Sequence, residues 1–462
     1  MHSSSVPHTD AYDPHTLRQI CEQVIESNWR DGFTVPSSNL YPFQWLWDSG
    51  FIALGWSWTD MGKARQELST LLQAQWKNGF LPHIVFHDDR AEKQYFPGAD
   101  FQGAHTHAFA PTHVKTSGIT QPAVLGFVLE YLYQREENPD AHANFYIQAI
   151  SRIFDFHVYL YRDRDPLKEN LVYIRHNWES GTDNSAAWDS IWAGYEAPVY
   201  EVRRKDTHHV NEAQRPTKKD YNYYLHLIEL SRECGYDEAR MYDRLPFLVQ
   251  DPLFNTLLVA SGQSIARMAR QFGLDDMAQQ SQQWAEATSI AINQKLWVDD
   301  LSLYGYYDLR NKRMIAIRTA PGLCPLFAGI ADAERAARMQ ALMTGPDFSG
   351  SDAANALCPS LAYTDPEFNP ERYWRGPVWV NINWLLYKGC LQYGFEILAE
   401  RIRQDTLNLV ARYGVYEYFY PLADDRQRPG FGGTAFSWTA ALVIEMIRQS
   451  EHPGSGRASI HP

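Results

Sequence analysis

Apolar residues recur at helical spacing from the start of the chain. Leu17, Ile20, Val24 and Ile25 follow Asp13-Pro14, a capping residue with proline at the first helical position. The pattern predicts an amphipathic helix running to about Trp29. The same periodicity predicts helices over roughly 48–58, 61–76 behind Asp60, 121–134, 142–162, 221–234, 253–272, 275–295, 332–344, 377–392, 395–412 and 434–449. Strand patterning is confined chiefly to the Trp297 to Ile317 region, where Leu-Tyr-Gly-Tyr-Tyr-Asp and Arg-Met-Ile-Ala-Ile flank Arg310-Asn311-Lys312 as a hairpin. About a dozen helices without a second strand-rich block predict an all-α domain. An α/β barrel would need regular β runs between the helices.

Two polar insertions interrupt this pattern. Residues 86–117 carry His87, His105, His107 and His113 with a Phe96-Pro97-Gly98 turn, and residues 197–220 are rich in charge around Gln214-Arg215-Pro216. Long loops in compact domains are usually functional lids or disordered segments. The expected organisation is a flexible N-terminus over 1–12, one domain over 13–450 and a loose tail over 451–462, rich in Pro, Gly and Ser.

Composition narrows the function. With 15 Trp and 27 Tyr the aromatic share reaches 14%, more rings than core filling requires. The balance of 42 Lys and Arg against 55 Asp and Glu gives −13, which argues against nucleic acid or an anionic membrane as partner and for a small or neutral one. Five scattered cysteines, Cys21, Cys234, Cys324, Cys358 and Cys390, form neither a CxxC motif nor a Cys/His cluster. The first residues lack a basic and apolar leader, no N-x-Ser/Thr sequon occurs, and no apolar run could span a bilayer. A cytoplasmic protein with reduced thiols is expected, and a homo-oligomer is compatible with it.

Residues 176–190 gather three carboxylates, Glu179, Asp183 and Asp189, among Trp178, Trp188, small residues and amides, with hardly any positive charge inside the window. An aromatic wall raises a carboxyl pKa by desolvation and stacks on a sugar ring, while amides and hydroxyls bind sugar hydroxyls. Glycoside hydrolysis needs two such protected carboxyls. Asp183 is the first candidate, because Gly181 lets the backbone approach a ligand; an Asx-turn or helix-cap aspartate is the alternative. Glu417, a lone acid in Gly414-Val-Tyr-Glu-Tyr-Phe-Tyr-Pro421, is the second, against an exposed glutamate on a half-buried strand. Tyr41-Pro-Phe-Gln-Trp-Leu-Trp-Asp48 opens a helix, so Asp48 caps it, binds sugar hydroxyls, or does both. Tyr373-Trp374-Arg375-Gly376-Pro377-Val378-Trp379 reads equally as ligand contact or as aromatic core around a buried Arg. No metal or cofactor is expected, since the histidines of the polar loop read as solvated.

Together these windows resemble glycoside hydrolase family 63 along nearly the whole chain. The resemblance is carried by Tyr41-Pro42 with Trp45 and Trp47-Asp48, Gln75-Trp-Lys-Asn-Gly79 with Pro82-His-Ile-Val-Phe86, Tyr95-Phe-Pro-Gly98, and Ser117-Gly-Ile-Thr-Gln-Pro122. It continues through Trp178-Glu-Ser-Gly181, Asp183-Asn-Ser185, Trp188-Asp-Ser190, Gln214-Arg-Pro216, Tyr373 to Trp379, Glu417-Tyr418 and Ser437-Trp-Thr439. The branch it most resembles, the glucosylglycerate and mannosylglycerate hydrolases, implies a cytoplasmic inverting α-glycosidase on an (α/α)6 barrel, with the insertions as its lid.

The resemblance puts Asp183 on the general acid, Glu417 on the general base and Asp48 on a sugar-binding acid. It also puts Tyr41, Trp45, Trp47, Gln121, Trp178, Tyr373, Trp374 and Trp379 around the sugar, and His83, Tyr95, Arg215 and Tyr221 around an acidic aglycone. Glu179 and Gly181 join the substrate-binding set, with Glu179 and Asp189 also flanking the acid as its support. Arg215 has a physical case of its own, since a planar guanidinium suits a carboxylate. One departure precedes Ser437-Trp438: the glycerate hydrolases carry amides there, and this chain has Gly432-Gly-Thr-Ala-Phe436. A neutral α-glucoside is therefore an alternative substrate, and a sugar epimerase or a non-catalytic sugar-binding protein on the same toroid is a weaker one.

Overall fold

The computed structural model describes residues 12–87, 95–201, 204, 210–423 and 430–451. The expected flexible N-terminus and loose tail therefore lie, apart from residues 12 and 451, outside the described residues, as do parts of both insertions, including most of the basic Arg203-Arg-Lys205 run.

The molecule is largely helical, and each predicted helix is present. Local chemistry explains the starts. Asp13 accepts from the His15 and Thr16 amides ahead of Pro14–Asn28, Asp60 from Lys63 ahead of Met61–Gln73, and Asp251 from Phe254 ahead of Pro252–Gln271. Thr217 and Asp220 form a reciprocal capping box that starts Lys218–Glu233 three residues before the predicted 221, inside the expected insertion.

The helices sort into two layers by burial. Leu46–Trp56 is buried at every position, as is the 3₁₀ segment Ala320–Leu326. With Leu125–Arg135, Pro252–Gln271, Val380–Gln392 and Ser437–Glu451, these elements touch one another in cyclic order, the last returning to the first. Trp384 marks their common centre, packing on Phe51, Phe127 and Phe327 from three other members of the ring or their flanks. Around them lie helices with one buried stripe. Pro14–Asn28 buries Leu17, Cys21 and Ile25 against Ser437–Glu451, and Glu396–Tyr413 packs on Val380–Gln392. Met61–Gln73 covers Leu46–Trp56, and Asp275–Lys295 covers Pro252–Gln271.

The ring meets itself at a seam. Ser437 N donates to Pro36 O at 2.8 Å, Ser437 Oγ donates to Val35 O at 2.7 Å, and Asn28 Nδ2 reaches Ala435 O at 2.7 Å. Among the described residues no helix is long and apolar enough to cross a membrane.

Strands are more numerous than predicted but only two to four residues long. The expected hairpin pairs Tyr306 with Ile315 and Asp308 with Arg313. It extends through Val249–Gln250 to Tyr173–Ile174 in a four-stranded sheet that the sequence did not suggest. Gln44–Trp45, Ile84–Phe86 and Lys115–Thr116 form another sheet, so the 86–117 insertion is anchored at both ends and holds the short helix Ala99–Gln102. Three predicted helix starts come too early. Residues 121–124, 377–379 and 434–436 precede Leu125, Val380 and Ser437, and Trp379, the residue before Val380, is extended, with φ −118° and ψ 123°.

Candidate active site

Asp183 lies in an irregular segment whose backbone is pinned from several sides. His176 caps the 3₁₀ turn Asn177–Ser180, Trp188 Nε1 donates to Thr182 O at 2.9 Å, and Tyr224 Oη and Asn177 Nδ2 donate to Asp183 O at 2.9 and 3.2 Å. Gly181 makes the turn at φ 73°, where a Cβ would fall 2.3 Å from the Trp47 ring. The fixed main chain leaves the Asp183 carboxyl to the cavity. Among the described residues no backbone amide but its own faces it, and the adjoining 3₁₀ turns are capped by His176 and Ser185, so neither the Asx-turn nor the cap reading holds.

Glu417 sits on Tyr416–Tyr418, paired with Phe431–Thr434. At 2% exposure it is not the solvent-facing glutamate of a half-buried strand. Tyr41 Oη donates to Oε1 at 2.9 Å, Tyr373 Oη to the same oxygen at 3.3 Å, and Gly433 N to Oε2 at 2.9 Å. Arg215 Nη1 lies 3.5 Å from Oε2. Gly432, at φ 76°, leaves no room for a side chain between Glu417 and Tyr418.

The two acids face one cavity of about 630 Å³ including its open mouth. Its lining brings together Tyr41, Trp45, Trp47, Asp48, His83, Tyr95, Gln121, Trp178, Gly181, Asp183, Arg215, Tyr221, Tyr373, Trp374, Trp379 and Glu417. Pro36, Phe436 and Trp438 also line it. Phe436 and Trp438 fall in or beside a quoted motif without a role, and Pro36 carried no sequence signal.

Two expectations are corrected. Glu179 does not reach the cavity: Arg164 Nη2 and Nη1 donate to its two oxygens at 3.0 Å each, Arg175 N donates at 2.8 Å, and Thr120 N at 3.2 Å. The cations missing from the 176–190 window lie just upstream of it. Asp48 does not cap its helix either; Trp45 is the residue before the first turn, and Asp48 lies inside that turn. Asp189 pairs with Arg375, whose Nε also donates to Asn184 O at 3.0 Å, while Trp374 N donates to Asn184 Oδ1 at 2.9 Å. The acid-bearing segment and the 373–379 window are thus tied together. Trp374 and Trp379 stack with centroids 3.7 Å apart and planes 5° apart, forming a rigid plate beside the acids.

Electrostatics separates the carboxyls. Burial pushes Asp183 up to about 7, opposed by Arg215 and reinforced by the charge of Glu417. Burial also raises Glu417, against the pull of Arg215, Gly433 N–H and the two tyrosines. Burial and the facing Glu417 hold Asp48 well above the usual carboxylate range. His83 is held neutral by burial, down at about 3, with Nδ1 2.6 Å from Ser117 Oγ. Among the described residues no cluster of His, Cys, Asp and Glu is arranged to hold a metal ion.

A family model described as the mannosylglycerate hydrolase MGH1-like glycoside hydrolase domain matches residues 41–439, and so spans every acid and aromatic window of the cavity. The chain belongs to this glycoside hydrolase family. This hydrolase is 41% identical, over 92% of its length and 95% of the relative's, to a protein of Rubrobacter radiotolerans named mannosylglycerate hydrolase. It is 29% identical over 96% of its length to a Mycolicibacterium hassiacum protein named glucosylglycerate hydrolase, covering all of that chain. Among solved structures, a glycoside hydrolase family 63 mannosylglycerate hydrolase from Thermus thermophilus, in complex with Tris, superposes with a TM-score of 0.85 at 39% identity. That match covers 93% of this hydrolase and 99% of the other chain. An enzyme of this class uses two carboxyls, and the cavity of this hydrolase presents Asp183 and Glu417 in contrasting surroundings.

Proposed function

We propose that the protein is an inverting α-glycosidase that cleaves 2-O-α-mannosyl- or 2-O-α-glucosyl-glycerate, with Asp183 as general acid and Glu417 as general base. The observation that carries the assignment is the contrast between the two carboxyls. Glu417 receives two hydroxyl donors, a backbone N–H and a guanidinium, all of which favour its ionised form. Asp183 is desolvated up to about 7 and keeps a proton near neutrality. Asp183 protonates the glycosidic oxygen as the bond to the anomeric carbon breaks, and Glu417 takes a proton from the water attacking the opposite face. Trp374, Trp379 and Trp47 supply apolar plates for the sugar ring, and Asp48 its bidentate polar anchor. Arg215, with Tyr221, Tyr95 and His83, is assigned to the glycerate. The names of the relatives support both sugars, and the choice between them is one for experiment.

The cyclic contact order of the buried elements supports an (α/α)6 barrel over 13–450; the two insertions are assigned to its lid. Five buried, unpaired cysteines support a cytoplasmic setting. The natural partner is the small substrate, without nucleic acid, membrane, cofactor or metal; a homo-oligomer fits this reading equally well.

Hydrolysis of α-mannosyl- and α-glucosyl-glycerate, beside trehalose, kojibiose and glucosylglycerol, followed by NMR of the first-formed anomer, tests the assignment. A β-anomer released from a glycerate glycoside is the expected result. First release of the α-anomer overturns the inverting mechanism, and activity on the neutral sugars alone overturns the substrate class.

A further inference from the structure

Arg215 enters the cavity just after the turn Glu212–Gln214 and is buried there. Among the described residues it is the one guanidinium or ammonium group lining the cavity. Its plane lies over the Tyr373 ring, 4.3 Å from the centroid. Nη2 donates to Tyr41 Oη at 2.9 Å, and the Tyr41 hydroxyl donates in turn to Glu417 Oε1 at 2.9 Å, while Nη1 stands 3.5 Å from Oε2. Both oxygens of Glu417 are therefore tied to one cation, directly and through a single hydroxyl. The direct contact is longer than the roughly 2.7–2.9 Å of a strong charge-assisted bond, so a better acceptor can displace it. The other titratable groups facing Glu417 are Asp48, Asp183, Tyr41 and Tyr373, with Glu67 behind Asp48. None of them is a cation that could replace Arg215.

We propose that Arg215 couples recognition of the leaving group to the base: the carboxylate of an acidic aglycone draws the guanidinium off Glu417 and Tyr41, releasing the base from its cation only when that aglycone is bound. This rests on the hydrolysis assigned above. A neutral aglycone leaves Arg215 on Glu417 and meets a weaker base, so the preference for an acidic substrate is expressed in kcat as well as in binding. Asp183 also feels Arg215. The same displacement keeps the acid protonated while the base gains strength.

The test is the pH dependence of kcat for the wild-type enzyme on an α-glycosyl glycerate and on the matching glyceramide, which lacks the charge. The acidic limb of kcat is expected about one pH unit higher for the glycerate than for the amide, with the two acidic limbs of kcat/KM coinciding because they report the free enzyme. In Arg215→Gln the gap between substrates should close, since the base has no cation to lose. Coincident kcat limbs in the wild type overturn the proposal, and so does a gap undiminished in Arg215→Gln, which would assign the effect to the field of the substrate's own carboxylate. The wild-type comparison decides the first outcome even where the variant folds poorly. Hydrolysis of neither compound would instead overturn the assigned reaction.

Discussion

Replacing Gly432 by alanine tests whether Glu417 must stand where it does. The added Cβ would lie 2.2 Å from Glu417 Oε2 and 2.6 Å from the Tyr418 ring. Ordinary van der Waals contact needs about 3.5 Å, so the carboxylate has to retreat by roughly 1 Å. That retreat opens the 2.9 Å bond from Gly433 N and disturbs the 2.9 Å bond from Tyr41. Separately, an alanine at φ 76° occupies the left-handed region at a cost of about 1–2 kcal/mol. If Glu417 is the base proposed above, a displacement of about 1 Å costs it its alignment on the attacking water, an effect on the order of 100-fold in rate. On the proposed roles, Gly432→Ala should therefore lower kcat about 100-fold. Initial rates of sugar release give kcat and KM, and circular dichroism with a melting curve establishes that the variant is folded. A folded Gly432→Ala enzyme whose kcat stays within about twofold of wild type refutes the reasoning, because a misplaced general base cannot leave the chemical step intact.

Asp183→Asn and Glu417→Gln should each lower kcat by about 10²–10⁴ on the glycerate glycoside, and a dinitrophenyl glycoside, whose leaving group needs no proton, should recover activity in Asp183→Asn but not in Glu417→Gln. Equal recovery in both would reverse or void the roles. In the free enzyme, kcat/KM should fall as pH rises through about 7, the value to which burial pushes Asp183; an alkaline limb that stays in place in Asp183→Glu would point to another group. A carboxyl raised from 3.8 to about 7 on folding holds a proton that the unfolded chain has released, so it destabilises the native state increasingly as pH climbs between those values. Asp183→Asn should accordingly melt higher than wild type at pH 8, with the difference shrinking toward pH 4; a difference independent of pH would contradict the burial. Glu179→Gln removes the charge that faces Arg164 bidentately and leaves Glu238 to balance both Arg164 and Arg175, so it should destabilise the fold by up to about 3 kcal/mol in chemical denaturation. The folded fraction should keep a near-native KM, and a large rise in KM would restore Glu179 to the sugar-binding set.

The outer helices were legible because caps and a one-sided apolar stripe write themselves into the sequence, as at Asp13-Pro14 with Leu17 and Ile25, although Ile20 of the same pattern is exposed. The inner elements were found but mis-bounded. Leu46–Trp56 is buried all round, so periodicity gives no phase, and the residues before Leu125, Val380 and Ser437 leave the helical path to deliver Gln121, Trp379 and Phe436 to the cavity. Strands of two residues leave no period at all. Asp183 and Glu417 stood out as acids among rings, yet the partners of the neighbouring carboxylates were hidden by distance along the chain. Arg375 reaches Asp189 across 186 residues and Arg215 reaches Glu417 across 202. Arg164 and Arg175 lay closer, but a window starting at residue 176 left both outside. With those pairs in view, Asp183 is the one acid of 176–190 that makes no ion pair among the described residues.

The seam joining Asn28, Val35 and Pro36 to Ala435 and Ser437 lies beside Glu417, since Pro36 and Phe436 line the same cavity and Gly433 N donates to its carboxylate. Activity is thereby made a report on completed folding. On the proposed roles, a molecule whose C-terminal helix is undocked from Val35 and Pro36 would keep its proton donor and lose the setting of its water-activating carboxylate, and so would be silent.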